Sequence, residues 1–219
     1  MQFPPDMVMF DCDGVLVDSE TLTADVLLRQ LAAYGLSVTR DRLADLFLGG
    51  TLPGVAVEAR KLGADLPESW VEDTYETVFA ALADTVEPIV GVTSVLDRLD
   101  VAGIPYAVGS NGPHRKMEIT LTRTGLADRL RGRVYSREDV PRPKPAPDLY
   151  LKIAADHSVP PARCVVIEDS PSGAKAAQAA GIWCFGYAAD TPAERLNPHC
   201  DHIFRSMADL PELLGLPPL

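Results

Sequence analysis

The chain has 219 residues, 47% of them hydrophobic, and a formal net charge of -11. This acidic balance disfavours nucleic acids and anionic membranes as partners, because both are bound through basic patches. A mean hydropathy near zero, with no apolar run approaching the roughly 20 residues that span a bilayer, predicts a soluble globular protein. Its length suits one large domain, or a core domain with a smaller insert.

Apolar, β-rich runs alternate with helical stretches along most of the chain, which predicts an α/β fold with a Rossmann-like parallel sheet. Strands are predicted at Met7–Phe10, Ile104–Gly109, Val134–Tyr135, Cys164–Ile167, Trp183–Gly186 and His202–Phe204. Helices are predicted at about 92–101, 113–124, 147–157 and 171–180. Runs such as Cys164–Ile167 lack polar alternation, as expected for strands covered on both faces.

One interval breaks this alternation. From Ser19 to about Thr85 the pattern is helical throughout, with helices predicted at Ser19–Tyr34, Arg40–Phe47, about 54–62 and about 67–83. We therefore expect an α/β core over residues 1–17 and 86–219, with a helical cap domain over 18–85 inserted after the first strand. A plain helical decoration is the alternative. A mobile lid is favoured because the insert leaves the core at the edge where ligands bind in open α/β sheets.

The four cysteines, Cys12, Cys164, Cys184 and Cys200, form no CxxC pair and no zinc-like spacing. Three of them lie in or beside apolar runs, which predicts reduced, mostly buried thiols and a cytoplasmic location. Without a coiled-coil pattern, a monomer is the default expectation. Cys12 has no arginine six residues downstream, as a thiol phosphatase would require, because that position is Asp18. We expect it to be a packing residue.

Four polar clusters fall at or just after the C-terminal ends of predicted strands. They are Asp11 with Asp13, Ser110 with Asn111, the segment around Lys144, and Glu168 with Asp169. Parallel strands end at one edge of the sheet, so these clusters are expected to converge there. Oxygen ligands of this kind suit a hard divalent cation with a phosphate beside it. A single cluster would be weak evidence, since Asp-Gly is a common turn pair and Glu168-Asp169-Ser170-Pro171 could simply cap a helix.

With these motifs in order, the chain resembles a haloacid-dehalogenase-superfamily phosphatase with a helical cap after the first strand. The resemblance implies that Asp11 attacks phosphorus and becomes an aspartyl phosphate. It implies that Asp13 is the general acid and base, and that Lys144 neutralises charge. Ser110 and Asn111 would donate hydrogen bonds to phosphate oxygens. Mg²⁺ would be held by Asp11, the backbone carbonyl of Asp13, Glu168 and Asp169.

The choice of acceptor separates a phosphatase from a mutase resembling β-phosphoglucomutase. In that mutase a cap histidine and basic residues grip a second phosphate, whereas the aligned position here is Thr23 and the loop Phe47–Thr51 is apolar. Water is therefore the expected acceptor, and the mutase remains the enzymatic alternative. Asp13 and Glu168-Asp169 also disfavour a dehalogenase. A phosphate-sensing module without catalysis is the non-enzymatic alternative, although no catalytic residue type is missing.

The substrate expected is a small sugar or sugar-acid phosphate. The turn Gly109–Met117 resembles that of bacterial phosphatases acting on 6-phosphogluconate, and its basic residues would suit a sugar acid. His114 follows this turn and is expected either to reach the substrate or to be a solvated residue at a helix start. In the cap, Gly49, Gly50 and Thr51 are predicted to form a substrate-binding loop, where consecutive glycines allow close approach of the backbone.

Overall fold

The computed structural model describes residues 3–46 and 51–217. At its centre lies a six-stranded sheet in which every pair of neighbouring strands is parallel. The strands are β1 (Met7–Phe10), β2 (Tyr106–Ser110), β3 (Val134–Ser136), β4 (Cys164–Glu168), β5 (Trp183–Tyr187) and β6 (His202–Phe204), in the spatial order β3-β2-β1-β4-β5-β6. The predicted α/β fold and its six strands are confirmed.

The central strands are buried along their whole length because helices cover both faces of the sheet. Every residue of β1, β2 and β4 is buried, whereas the edge strands β3 and β6 are only partly so. This explains why Met7–Phe10 and Cys164–Ile167 read as unbroken apolar runs. The same packing leaves only the ends of these strands for polar chemistry.

Within the described residues, six α-helices accompany the sheet in the same compact unit, which comprises Met1–Asp18 and Glu87–Leu219. They are α5 (Val92–Ala102), α6 (His114–Arg123), α7 (Asp148–Asp156), α8 (Pro171–Ala179), α9 (Ala193–Leu196) and α10 (Leu210–Leu213). Helix α5 ends at Gly103, whose φ of 67° is the left-handed conformation that favours glycine at a helix end. Helix α6 begins one residue later than predicted, because Pro113 is its N-cap.

A second compact unit spans Ser19–Val86. It holds α1 (Glu20–Ala33), α2 (Arg40–Leu46), α3 (Leu52–Lys61) and α4 (Trp70–Thr85). These helices bury a hydrophobic cluster of their own, in which Leu27, Leu31, Val55 and Trp70 are almost fully enclosed. Its limits differ by one residue at each end from the insert expected over 18–85, and its action as a cap stays a prediction. None of the helices in the described part of the chain is long and apolar enough to cross a membrane.

Candidate functional site

Five charged or polar side chains are buried together at the carboxyl edge of the sheet. Asp11 follows β1, Ser110 ends β2, Lys144 lies in the loop between β3 and α7, and Glu168 ends β4 with Asp169 next to it. Their exposed fractions are 8% for Asp11, 2% for Ser110, 5% for Lys144, 0% for Glu168 and 7% for Asp169. Buried charges are costly unless they are paired or bind a metal. The cluster therefore has to be explained by its internal contacts or by a ligand.

Lys144 is the cationic centre of this cluster. Its Nζ lies 2.8 Å from Asp11 Oδ1 and 2.6 Å from Glu168 Oε1. The same nitrogen lies 4.8 Å from the centroid of the Tyr150 ring, within the range of a cation–π contact. Burial alone lowers the pKa of Lys144, but the two carboxylates outweigh it and raise that pKa above its ordinary value. Lys144 is therefore a fixed ammonium group directed at Asp11.

Asn111 holds the backbone that presents Lys144. Its Nδ2 donates to the carbonyl oxygen of Lys144 at 3.0 Å, and its Oδ1 accepts from the amide of Lys144, also at 3.0 Å. Ser110 Oγ accepts from the amide of Gly112 at 2.9 Å, which leaves its hydroxyl proton for donation elsewhere. Both residues were expected to bind phosphate. Ser110 has a hydroxyl proton that it can donate to a phosphate oxygen, whereas the side-chain amide of Asn111 is engaged in the hydrogen bonds that position the backbone of Lys144.

Glu168 accepts four hydrogen bonds. Oε1 accepts from Lys144 Nζ at 2.6 Å and from the Tyr150 hydroxyl at 2.8 Å. Oε2 accepts from the Ser170 amide at 3.1 Å and the Ser170 hydroxyl at 2.9 Å. A carboxylate has about four lone-pair sites, so these bonds engage all of them. To bind a metal directly, or to accept a hydrogen bond from a metal-bound water, Glu168 would have to give up or share one of these bonds.

Two glycines make room for the carboxylates. A Cβ at Gly173 would lie 1.6 Å from Glu168 Oε1, and one at Gly14 would lie 2.1 Å from Asp169 Oδ2. Gly14 also has a φ of +73°, which side chains rarely adopt. Ser170 caps α8 by accepting from the Gly173 amide at 3.0 Å. The start of α8 and the pair Glu168 and Asp169 are thus packed together. Ser170 contacts both, because its hydroxyl caps the helix and also donates to Glu168.

Asp11, Glu168 and Asp169 form a group with the geometry of a cation site. Each offers a carboxylate oxygen, and the three oxygens lie within 4.8 Å of one another. Burial raises the pKa of Asp11 to about 7; Lys144 opposes this shift, while Glu168 and Asp13 add to it. Three carboxyl groups against one ammonium leave an excess of negative charge. A divalent cation bound by oxygen ligands would relieve it, so the donor set fits such an ion.

Asp13, the expected general acid and base, is paired with Lys116. Lys116 Nζ lies 2.7 Å from Asp13 Oδ1, and the side chains are 18% and 20% exposed respectively. Burial lowers the pKa of Lys116, but Asp13 outweighs it, and the net shift is upward. From the sequence, Lys116 was only one of the basic residues of the turn Gly109–Met117 that would suit an acidic substrate. Since Pro113 caps α6, Lys116 falls in its first turn, where it can reach back to the strand ends.

His114 makes its contacts with the segment that follows β3. Its Nε2 lies 2.9 Å from Asp139 Oδ2, and its amide donates to Glu138 Oε2 at 2.9 Å. The ring is 47% exposed. These contacts connect the start of α6 to the segment that follows β3. They are made with residues outside the carboxylate cluster. A role for His114 in binding substrate stays a prediction.

The expected substrate loop of the second unit is only partly described. Gly49 and Gly50 lie outside the described residues. Thr51 is the N-cap of α3, where its Oγ1 accepts from the Gly54 amide at 3.3 Å. Its hydroxyl therefore has a local structural role, and its contact with a substrate stays a prediction.

Comparisons with known proteins identify the family. Residues 8–187 match the family model described as haloacid dehalogenase-like hydrolase. The chain is 28% identical over 208 residues to 6-phosphogluconate phosphatase of Escherichia coli, covering 94% of this chain and 93% of that protein. It is 31% identical over 179 residues to a fructose-1-phosphate phosphatase of Escherichia coli, covering 80% and 92%. A family hydrolase from Deinococcus radiodurans, solved with bound phosphate and sodium, superimposes with a TM-score of 0.84 and 33% identity, covering 100% of both chains. As the motifs predicted, the chain belongs to the haloacid dehalogenase-like hydrolase family and is an enzyme of that family.

Proposed function

We propose that this hydrolase is a Mg²⁺-dependent phosphatase of small sugar or sugar-acid phosphates, acting through an aspartyl phosphate on Asp11. The observation that carries the proposal is the buried arrangement of Asp11 against Lys144, beside Glu168 and Asp169. A nucleophilic carboxylate, a fixed cation and an acidic metal site are the parts that phosphoryl transfer requires, because its catalysis is mostly positioning and charge stabilisation.

Mg²⁺ would be held by Asp11, Asp169 and the backbone carbonyl of Asp13, with Glu168 joining directly or through water. When bound, the ion would reduce the repulsion between a carboxylate and an anionic phosphate. The three carboxylates are deeply buried and lie within 4.8 Å of one another, which fits a small ion with oxygen ligands. Lys144 would provide the second positive charge from the protein itself.

In the first step a carboxylate oxygen of Asp11 attacks phosphorus, and the bond from phosphorus to the sugar oxygen breaks. Asp13 gives its proton to the departing oxygen, which leaves as an alcohol. The proton of the Ser110 hydroxyl and the ammonium of Lys144 stabilise the charge on the transferred group. The phosphoryl group is then joined to Asp11, and Asp13 is a carboxylate.

In the second step water attacks the phosphorus of the aspartyl phosphate. Asp13 takes a proton from that water, the bond between phosphorus and Asp11 breaks, and inorganic phosphate leaves. Both enzyme carboxyl groups return to their starting protonation. Lys116, 2.7 Å from Asp13 in the structure, would hold the Asp13 side chain in place between the two steps.

The substrate class is inferred from two sources. Two relatives that this chain matches along most of their length are a 6-phosphogluconate phosphatase and a fructose-1-phosphate phosphatase. In addition, the start of α6 is basic: His114 contacts Asp139 and Lys116 contacts Asp13, and Arg115 between them is the side chain we propose for the carboxylate of an acidic sugar. 6-Phosphogluconate is the substrate we propose first. Four free thiols suit a reducing compartment, so we propose a cytoplasmic enzyme, with a monomer as the default state.

Phosphate release tests the proposal. Purified enzyme would be assayed with 6-phosphogluconate, hexose monophosphates and an aryl phosphate, with Mg²⁺ or with a chelator. Turnover should require Mg²⁺ and disappear in Asp11→Asn, and 6-phosphogluconate should be among the best substrates. Activity that survives chelation or Asp11→Asn would overturn the mechanism. An isomeric sugar phosphate formed without free phosphate would indicate a mutase, and 6-phosphogluconate among the poorest substrates would refute only the substrate assignment.

A further inference from the structure

A pair of thiols outside the catalytic cluster lies in direct contact. Cys184 on β5 and Cys200, in the segment just before β6, have their sulfur atoms 3.6 Å apart. Cys184 is buried and Cys200 is half-buried. Cys184 belongs to a hydrophobic core cluster, and Cys200 packs against that cluster. Neither thiol has a part in the proposed phosphatase chemistry.

The backbone holds the two cysteines opposite each other. Asp201, next to Cys200, accepts from the Cys184 amide through Oδ2 at 2.8 Å, and its own amide donates to the Cys184 carbonyl at 2.8 Å. Gly186 provides the space for Cys200, because a Cβ there would lie 2.9 Å from the Cys200 sulfur. The contact is therefore fixed by neighbouring residues on both sides.

Cys200 also has a route to solvent. It lines a surface cavity of about 250 Å³ together with Gln178, Trp183, Pro198 and His199. Cys184, which is buried, is not among the residues that line this cavity, so a small oxidant in it would meet Cys200 first. The Cys200 contact and burial hold the pKa of Cys184 well above its ordinary value. Cys184 thus keeps its proton and lies in contact with Cys200, so it can supply that proton to a group that leaves the Cys200 sulfur.

We propose that Cys184 and Cys200 are an oxidisable dithiol that closes to an intramolecular disulfide when a peroxide enters this cavity. The Cys200 sulfur attacks one peroxide oxygen, the O–O bond breaks, and a sulfenic acid forms, while the proton of the Cys200 thiol leaves with the departing hydroxide as the first water. The Cys184 sulfur then attacks the Cys200 sulfur, the S–O bond breaks, and the proton of Cys184 leaves with the departing hydroxide as water. The two thiols lose two electrons and two protons in all, and one peroxide becomes two waters.

Thiol counting tests this proposal on the whole protein. After limited hydrogen peroxide treatment, remaining thiols are alkylated and peptides are mapped by mass spectrometry. We expect two of the four cysteines to become protected, with one linked peptide pair joining residues 184 and 200, and full reversal by dithiothreitol. Cys12 and Cys164, both buried, are internal controls that should stay alkylatable after unfolding.

Cys200→Ser is the matched variant, and it alters the half-buried member of the pair. It should leave Cys184 alkylatable after peroxide treatment and give no linked peptide. In the wild type, oxidation should raise the Tm by about 5–10 °C, because the bond closes a loop between β5 and β6 in the unfolded chain. Separate sulfinic acids at the two cysteines, disulfides between two molecules, or a lower Tm on oxidation would each overturn the proposal.

Discussion

Gly173→Ala should disrupt the acidic site, although alanine is the better residue for a helix. A Cβ at this position would lie 1.6 Å from Oε1, 1.9 Å from Cδ and 2.5 Å from Oε2 of Glu168. Since these are the side-chain atoms of a fully buried residue, the carboxylate has to move. Moving it breaks its hydrogen bonds to Lys144 and Tyr150, which are 2.6 and 2.8 Å long.

The size of the effect follows from two opposing contributions. Breaking a buried ion pair costs about 3–5 kcal/mol because it leaves a charge without its partner. Replacing glycine by alanine inside a helix returns about 1 kcal/mol. We therefore expect the free energy of unfolding to fall by about 2–4 kcal/mol. Turnover should fall at least as steeply, since Lys144 would lose one of the two carboxylates that fix it.

Gly54→Ala is a close control. Gly54 and Gly173 both occupy the third position of a helix with a proline in its first turn, and both donate their amide to the N-cap hydroxyl, of Thr51 and Ser170 respectively. Among the described residues, a Cβ at Gly54 meets only the Thr51 hydroxyl, at 3.3 Å. Urea unfolding should show a loss of stability for Gly173→Ala, whereas Gly54→Ala should show no loss and a gain of up to about 1 kcal/mol. If the two substitutions shift stability equally, the steric argument is wrong.

Three further substitutions examine the contacts around the site. Tyr150→Phe removes the hydroxyl that donates to Glu168 and keeps the ring beside Lys144. Urea unfolding should show that the free energy of unfolding falls by about 1–3 kcal/mol. An unchanged free energy of unfolding would mean that this hydrogen bond does not stabilise the protein. Lys116→Met should lower kcat about 10-fold, part of the roughly 10²–10⁴-fold due to acid–base catalysis; an effect on KM alone would assign Lys116 to substrate binding. Asn111→Ala removes the two hydrogen bonds that hold the Lys144 backbone. It should reduce kcat/KM about 10-fold or more, because a misplaced catalytic group lowers the rate by such a factor. Wild-type kinetics would contradict the positioning role of Asn111.

The fold could be predicted because the hydrophobic pattern and the capping residues agree. Met7–Phe10 and Cys164–Ile167 are covered on both faces, so their sequences carry an unbroken apolar run. Gly103 adopts the left-handed conformation that ends α5. Parallel strands then bring their carboxyl ends to one edge, which is why residues separated by more than 130 positions, such as Asp11 and Lys144, could be placed together in advance.

Individual side-chain contacts could not be predicted in the same way. Tyr150 lies on the buried face of α7 with Leu149 and Ile153, where an aromatic residue suggests only core packing. A buried tyrosine hydroxyl usually finds a partner, and that rule was the available signal. It does not say which partner, because the choice of Glu168 depends on the distance between α7 and β4. The pairing of Lys116 with Asp13 depends in the same way on where α6 begins.

The buried charges themselves argue that this edge of the sheet was retained for chemistry. Replacing a buried ion pair by apolar residues of similar volume is often neutral or stabilising, so Asp11, Lys144 and Glu168 are poor choices if stability is the only requirement. Gly14 and Gly173 point the same way, because a side chain at either position would overlap the carboxylate of Asp169 or Glu168 respectively. Burial also raises the pKa of Asp11 to about 7, so its charge is unfavourable in the resting protein. A binding site for a cation and an anionic group would account for these costs together, and the phosphatase reaction that we propose would use every part of the site.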